Sequence, residues 1–320
     1  MNSKSDFKKY LDSKKCFKLI CGAGNEDYED IKKLCALYAS AGCRFFDLNA
    51  SVEAIRAAKE GIKFAGKNNE CFICVSVGTK NDPHISKCRI NPENCILCGE
   101  CEAVCIQNAI HNNKNSYNIT SNKCIGCGKC IEICQNNAID RYSKYKTISD
   151  ILPPLVEEGI DCIEFHTITD DEYEVMNGIK EITDIYKGPV SISINRSKIG
   201  NDILLERLHL IKSYINDLFL VQADGNPMSG GCDDYRTTLQ AVAMADIIEK
   251  SGITPYVIVS GGTNSKTYEL LNMCNINICG IAVGSYARKI VKKCTDNVNF
   301  WTDNNLFNSA LKIAKSLIKY

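Results

Sequence analysis

Short apolar runs alternate with longer amphipathic stretches along this chain. Runs rich in branched and aromatic side chains predict strands at 17–22, 43–49, 71–77, 162–167, 190–195, 218–224, 256–261 and 278–284. Between them apolar positions fall three and four apart, as in Ile31, Leu34, Cys35 and Tyr38, or Ile203, Leu204, Leu208 and Ile211. That is the period of a helix with one buried face. Eight strands alternating with helices over about 250 residues, once a foreign stretch at 81–144 is set aside, predict an α/β fold of the (β/α)8 TIM-barrel type. An open doubly wound sheet is the rival that the same alternation could build. The foreign stretch falls between the third strand and the third helix, in a loop at the carboxyl ends of the strands, where barrel enzymes keep their active sites. The chain thus divides into a first barrel part (1–80), an insert (81–144) and a second barrel part (145–320).

Several predicted strands turn polar near their carboxyl ends, always at one parity: Asp47 and Asn49, Cys74 and Ser76, Glu164 and His166, Ser193 and Asn195, Gln222 and Asp224. A one-residue slip would send this set outward against the helices. Burying so many charged and amide groups against apolar helices is costly, so the parity predicts a polar pocket inside the barrel. Glu164 and His166 share a face, with Asp47 and Asp224 on other strands, as an acid/base group would need. A hydrogen-bonded network that only orients strands is the plainer reading. Of the 4 histidines His166 alone ends a strand; His84 and His111 read as loop residues of the insert.

The insert carries the most specific chemistry. Two cysteine runs share the spacing Cys-x2-Cys-x2-Cys-x3-Cys: Cys95, Cys98, Cys101 and Cys105, then Cys124, Cys127, Cys130 and Cys134. Paired runs of this kind hold two [4Fe-4S] clusters in a bacterial-type ferredoxin, the fourth cysteine of each run ligating the other cluster. The expected cages are Cys95, Cys98, Cys101 and Cys134, and Cys124, Cys127, Cys130 and Cys105, with each fourth cysteine opening a short helix. Structural zinc would use two Cys-x2-Cys pairs and leaves a third cysteine in each run without a role. Ile106 and Gln135 stand where ferredoxins usually have proline, while Ala109-Ile110-His111 and Ala138-Ile139-Asp140 follow the runs at one offset, as an internal duplication would.

Two glycine loops follow the last two strands: Gly261, Gly262, Thr263 and Asn264, then Gly284, Ser285 and Arg288. These are the loops that bind phosphate in many barrels. A flavin mononucleotide, a phosphorylated substrate or no anion at all would each fit, since glycines also make tight turns. After the sixth strand, the polar loop 225–234 could cover a substrate or act as a linker, and its Cys232 has no histidine beside it in sequence to activate it.

Charge changes the picture little. With 38 basic and 38 acidic residues the chain offers no broad field for nucleic acid. Residues 1–15 are lysine-rich and polar, unlike a signal peptide, and no apolar run reaches membrane-spanning length. The runs take 8 of the 20 cysteines; the rest are scattered, as buried thiols in a reducing cytoplasm would be.

Taken together, residues 17–23, the cysteine runs, 164–167, 222–230, 260–264 and 284–288 resemble the light-dependent period protein family, iron-sulfur proteins of cyanobacterial circadian input. The resemblance implies a redox-responsive protein with two [4Fe-4S] clusters and brings no established reaction. Two functions are expected. One is an oxidoreductase passing electrons from a donor protein through the clusters to a small-molecule substrate or flavin at the barrel mouth. The other is a redox sensor or electron-transfer adaptor acting on a partner protein.

Overall fold

The computed structural model describes residues 4–80, 82, 86–143, 146–226, 229 and 231–318. The expected histidine His84 and residues 227, 228 and 230 of the sixth-strand loop lie outside them. Helix α1 (Lys4–Asp12) comes first, then strands β1 (Cys16–Ile20), β2 (Phe45–Asn49) and β3 (Phe72–Gly78), separated by α2 (Tyr28–Ala41) and α3 (Val52–Phe64). The insert follows: β4 (Ser86–Ile90), α4 (Glu100–Ala103), β5 (Ile110–Asn112), β6 (Tyr117–Ile119), α5 (Lys129–Ile133) and β7 (Ile139–Ser143). The chain then resumes the barrel with α6 (Ile148–Glu158), β8 (Cys162–His166), α7 (Glu172–Ile185), β9 (Val190–Ile194), α8 (Asn201–Lys212), β10 (Phe219–Asp224), α9 (Tyr235–Ser251), β11 (Tyr256–Ser260), α10 (Thr267–Met273), β12 (Gly280–Val283), α11 (Ser285–Thr295) and α12 (Asn304–Leu317).

Eight parallel strands close in the order β1-β12-β11-β10-β9-β8-β3-β2. All eight expected strands are present, none of their ends moved by more than two residues, and the closed ring excludes the open sheet. Helix starts follow local chemistry: Asp27, Ser51, Thr147, Asp171 and Asp234 each accept a backbone N–H of the first turn. Of the helical positions singled out above, Ile31, Leu34, Cys35 and Tyr38 are all buried on α2, whereas Ile203 on α8 points to solvent.

Alternation along the strands builds two cores. Outward residues such as Leu19, Phe46, Ile163, Ile192, Val221 and Val257 pack under the helices. Inward residues Cys16, Phe45, Phe72, Cys162, Leu220 and Tyr256 fill the lower half of the barrel. Its amino-terminal end is plugged by α1, with the Phe7 ring centroid 5.0 Å from Phe45 and 4.7 Å from Phe72. Above this apolar floor the inward positions turn polar: Lys18, Asp47, Ser76, Glu164, Ser191 and Gln222 are all buried.

The insert is a pair of small sheets, β4 with β7 and β5 with β6, both antiparallel. It is fastened to the barrel through the loop after β1. Lys87 on β4 is buried and donates to the carbonyls of Gly24 at 2.5 Å and Cys124 at 2.6 Å. The Glu26 N–H donates to the Asn122 carbonyl at 2.8 Å.

Helices α2 and α3 touch closely because Gly61 has no side chain: a Cβ there would lie 2.3 Å from the Lys32 carbonyl oxygen and 2.9 Å from the Ala36 nitrogen. Gly→Ala inside a helix ordinarily stabilises by about 1 kcal/mol. Here Gly61→Ala is expected to destabilise by about 1–3 kcal/mol, as overpacking against backbone does. Anaerobic denaturation of the cluster-loaded protein measures the sign; an unchanged or raised midpoint contradicts this packing.

Candidate active site and thiolate cages

The polar layer is organised around one ammonium. Lys18 sits on β1 with no exposure and donates to Glu164 Oε2 and, at 3.0 Å, to Gln222 Oε1, while Asp47 Oδ2 stands 3.7 Å away. Burial opposes its charge, but the Asp47 and Glu164 carboxylates outweigh that and raise its pKa well above the usual lysine value. Glu164 also accepts from Ser191 Oγ at 3.1 Å and Gln222 Nε2 at 2.6 Å. Burial would lift its pKa, yet Lys18 and His166 hold it down at about 2.

His166, two residues along the same strand face, has Nδ1 2.8 Å from Asp82 Oδ2 and Nε2 3.4 Å from Glu164 Oε1. Burial disfavours the imidazolium, but the two carboxylates prevail and raise the His166 pKa well above its ordinary value. Asp47, bonded by Ser76 Oγ at 2.7 Å, is pushed up to about 6 by burial against the pull of Lys18. Asp224, which accepts from Ser193 Oγ, is likewise raised by burial. The floor thus holds one carboxylate fixed as an anion, a protonated imidazole, and two carboxyls able to gain or lose a proton at milder pH.

These groups open into a cavity of about 670 Å³, part of it continuous with solvent. All four expected acid/base residues, Asp47, Glu164, His166 and Asp224, line it, together with Gly261, Gly262, Thr263, Gly284, Ser285 and Arg288 from the two glycine loops. Asn264 departs from expectation. Its amide nitrogen donates to the carbonyls of Cys232 (3.1 Å) and Asp234 (2.7 Å) and to Thr237 Oγ1 (3.0 Å), so it ties down the loop after β10 and does not line the cavity. Cys232 is exposed and is not among the lining residues. Lys18 and Asp82 were missed by the sequence reading. Lys18 shares inward parity with Cys16 on β1 and could have been found by extending the polar-layer argument to that strand; Asp82 sits in a loop without periodicity.

One further wall of the cavity comes from outside the barrel. Ile125, between Cys124 and Cys127, lines it opposite the strand ends. Behind Ile125 lies a second cavity of about 370 Å³ lined by Cys105, Cys124, Cys127 and Cys130, with Cys88, Ile106, Ala109, Ile110 and Ile119 around them. A third cavity of about 540 Å³ is lined by Cys95, Cys98, Cys101 and Cys134, with Ile90, Tyr117 and Ile139. Each therefore gathers three cysteines of one run and the fourth of the other, the crossed pattern expected for two cubanes. Among the described residues no three His, Cys, Asp or Glu side chains converge on a single point as one metal ion requires. Apolar, roomy cages ringed by four thiols fit a cluster.

The two cages are built alike. Gly99 and Gly128, with φ of 83° and 80°, occupy the left-handed region and turn the chain into α4 and α5. Cys105 and Cys134 then follow these helices, correcting the expectation that they open them. After each comes an asparagine with positive φ, Asn108 or Asn137, which aims the Ala109 or Ala138 N–H at the preceding cysteine sulfur, 3.3 Å away in both halves. That turn replaces the one a proline would make after the fourth cysteine.

Residues 154–320 match the model described as the Light dependent period A C-terminal domain. The chain belongs to the light dependent period A family. Residues 89–111 and 117–140 match the 4Fe-4S binding domain, one segment per cysteine run. Light dependent period A of Synechococcus elongatus is 29% identical over 287 residues, covering 85% of this chain and 80% of that protein. The YdjI aldolase of Escherichia coli K12 superposes with a TM-score of 0.52 at 7% identity over 99% of this chain and 94% of that one. Tryptophan synthase of M. tuberculosis gives 0.51 at 10% identity over 99% and 97%. These distant structures share the fold alone.

The crossed cages make a prediction that a pair of independent sites would not. Cys105→Ser, in the first run, is expected to perturb the cluster held by Cys124, Cys127 and Cys130 and leave the other intact, and Cys134→Ser the reverse. EPR of the dithionite-reduced variants resolves this. If each substitution disturbs the cluster of its own run, the assignment is wrong.

Proposed function

We propose that this protein is an iron-sulfur oxidoreductase in which electrons carried by the insert meet a small molecule in the barrel-mouth cavity and the polar floor supplies protons. The observation that carries this reading is Ile125: a residue between two cage cysteines forms a wall of the same cavity that is floored by Asp47, Glu164 and His166. Bound in the two cages, [4Fe-4S] clusters would supply single electrons. An acceptor that takes up an electron pair as an added X–H bond and an X⁻ centre needs two protons to end neutral. His166, held protonated by Asp82 and Glu164, offers one. Asp47, with a pKa of about 6, offers or relays another. Lys18 keeps Glu164 ionised, and Glu164 in turn keeps the His166 ring charged and oriented. The flavin considered above finds no support in the lining, which holds no Phe, Tyr or Trp among the described residues.

The cage of Cys95, Cys98, Cys101 and Cys134 is the outer one. Ile96 and Leu97 are 66% and 44% exposed beside the exposed Cys98, with Glu93, Glu100 and Glu102 around them. An apolar centre with an acidic rim suits a donor protein with a basic rim. The same surface supports the second reading, a sensor whose partner docks there according to cluster state.

Coupling of electrons to floor protons separates the readings. A cluster held by Cys105, Cys124, Cys127 and Cys130 would, once reduced, add negative charge beside the cavity and so raise the pKa of Asp47 from its resting value of about 6. Below pH ~6 the carboxyl is already protonated and the potential is flat; above it the potential of the inner cluster is expected to fall by up to about 59 mV per pH unit. Asp47→Asn should flatten this slope, and His166→Ala should reduce it, with cluster content unchanged. Anaerobic voltammetry across pH 5–9 measures it. A slope that is absent, or identical in wild type and both variants, removes the enzymatic reading and leaves the sensor.

A further inference from the structure

Opposite the acid/base floor, the cavity holds a cation with unused bonding capacity. Arg288 is only 6% exposed and lines the cavity. Its Nη1 donates to the Ile20 carbonyl at 2.7 Å, and its Nε has no hydrogen-bond partner. Among the described residues no carboxylate lies within ion-pair distance of it; Asp30, the carboxylate whose charge it feels most, is bonded by Asn25 Nδ2 at 3.0 Å. A guanidinium buried with an open donor and no paired anion is costly unless a ligand completes it.

The same side chain projects from the first turn of α11. That helix begins at Gly284, which offers no side-chain cap. The Ser285, Tyr286 and Ala287 N–H groups therefore have no acceptor within the helix, and the first intrahelical bond is made by Arg288 N–H to the Gly284 carbonyl at 3.0 Å. Gly284 and Ser285 line the cavity, and Gly261 and Gly262 bring bare backbone to its neighbouring wall. The guanidinium lies between Gly22 and Gly284, where added Cβ atoms would stand 3.3 and 3.5 Å from Nη1. Glycine at these positions leaves the room around the charge open.

We infer that Arg288 and the start of α11 bind the phosphate of a small phosphate monoester, whose other end reaches the floor of His166, Glu164 and Asp224. This deepens the oxidoreductase reading by naming the class of its substrate. The terminal oxygens of a phosphate dianion match a set of N–H groups converging at a helix start, where the dipole also favours the charge. A guanidinium beside them supplies a charge-assisted bond that a carboxylate, with fewer oxygens, would fill only in part.

Isothermal titration of the anaerobic, cluster-loaded full chain with inorganic phosphate and with glycerol 3-phosphate tests the site without requiring turnover. Saturable binding of one equivalent is expected, with glycerol 3-phosphate tighter and succinate unable to compete. Arg288→Met should weaken binding by at least about tenfold. Because Arg288 is buried, Ser285→Glu is the second variant: a carboxylate in the first turn suits the helix but repels the ligand, so it should abolish binding without lowering thermal stability. Absence of phosphate binding overturns the inference, as does succinate binding more tightly, or binding undiminished by Ser285→Glu. The outcome is independent of the voltammetric slope: phosphate bound without proton coupling sinks the redox reading alone, and proton coupling without phosphate sinks this one alone.

Discussion

A lysine with no access to water stands on the axis of the barrel, and the chemistry of the cavity depends on how it is neutralised. Lys18 could be buried only because Glu164, Asp47 and Gln222 converge on it from three other strands. Taking one partner away from such a buried pair costs about 3–5 kcal/mol, because the survivor is left charged without company. The consequence reaches beyond stability. Pairing with Lys18 keeps Glu164 an anion, which together with Asp82 keeps His166 charged, while Asp47 and Asp224 are left poised to exchange protons. Lys18 thereby separates its two carboxylate partners, Glu164 held low as an anion and Asp47 left titratable at about 6.

The insert answers this arrangement from above. Its two halves repeat the same local devices, a left-handed glycine into a short helix and a left-handed asparagine after the fourth cysteine. Yet they face different surroundings. One cage presents Cys98, Ile96 and Leu97 to solvent, while the other is pressed on the barrel through Ile125 and anchored by Lys87. Duplication provides two cages, and docking through the loop after β1 makes one outer and one inner.

Much of this was legible in the chain because it depends on spacing. Cysteine intervals gave the crossed cages, and strand parity gave the inward set that includes Asp47, Glu164, His166 and Asp224, since both are local periodicities. What was hidden depends on distant neighbours. Asn264 sits in a glycine loop suited to ligands, but three partners from residues 232–237 claim its amide, and no interval announces that. Asp82 reaches His166 from a loop without pattern. The direction of the insert was equally silent, because Lys87 bonds two carbonyls, and any residue supplies a carbonyl.

Two iron-sulfur cubes held by the eight thiols, one of them against the wall of a proton-bearing cavity, fix the inorganic content of the protein. Metal and acid-labile sulfide analysis of material isolated without oxygen measures that content. About eight iron and eight sulfide per chain are expected. Zinc in place of iron, with no sulfide, would rule the cubes out and leave the barrel without an electron source.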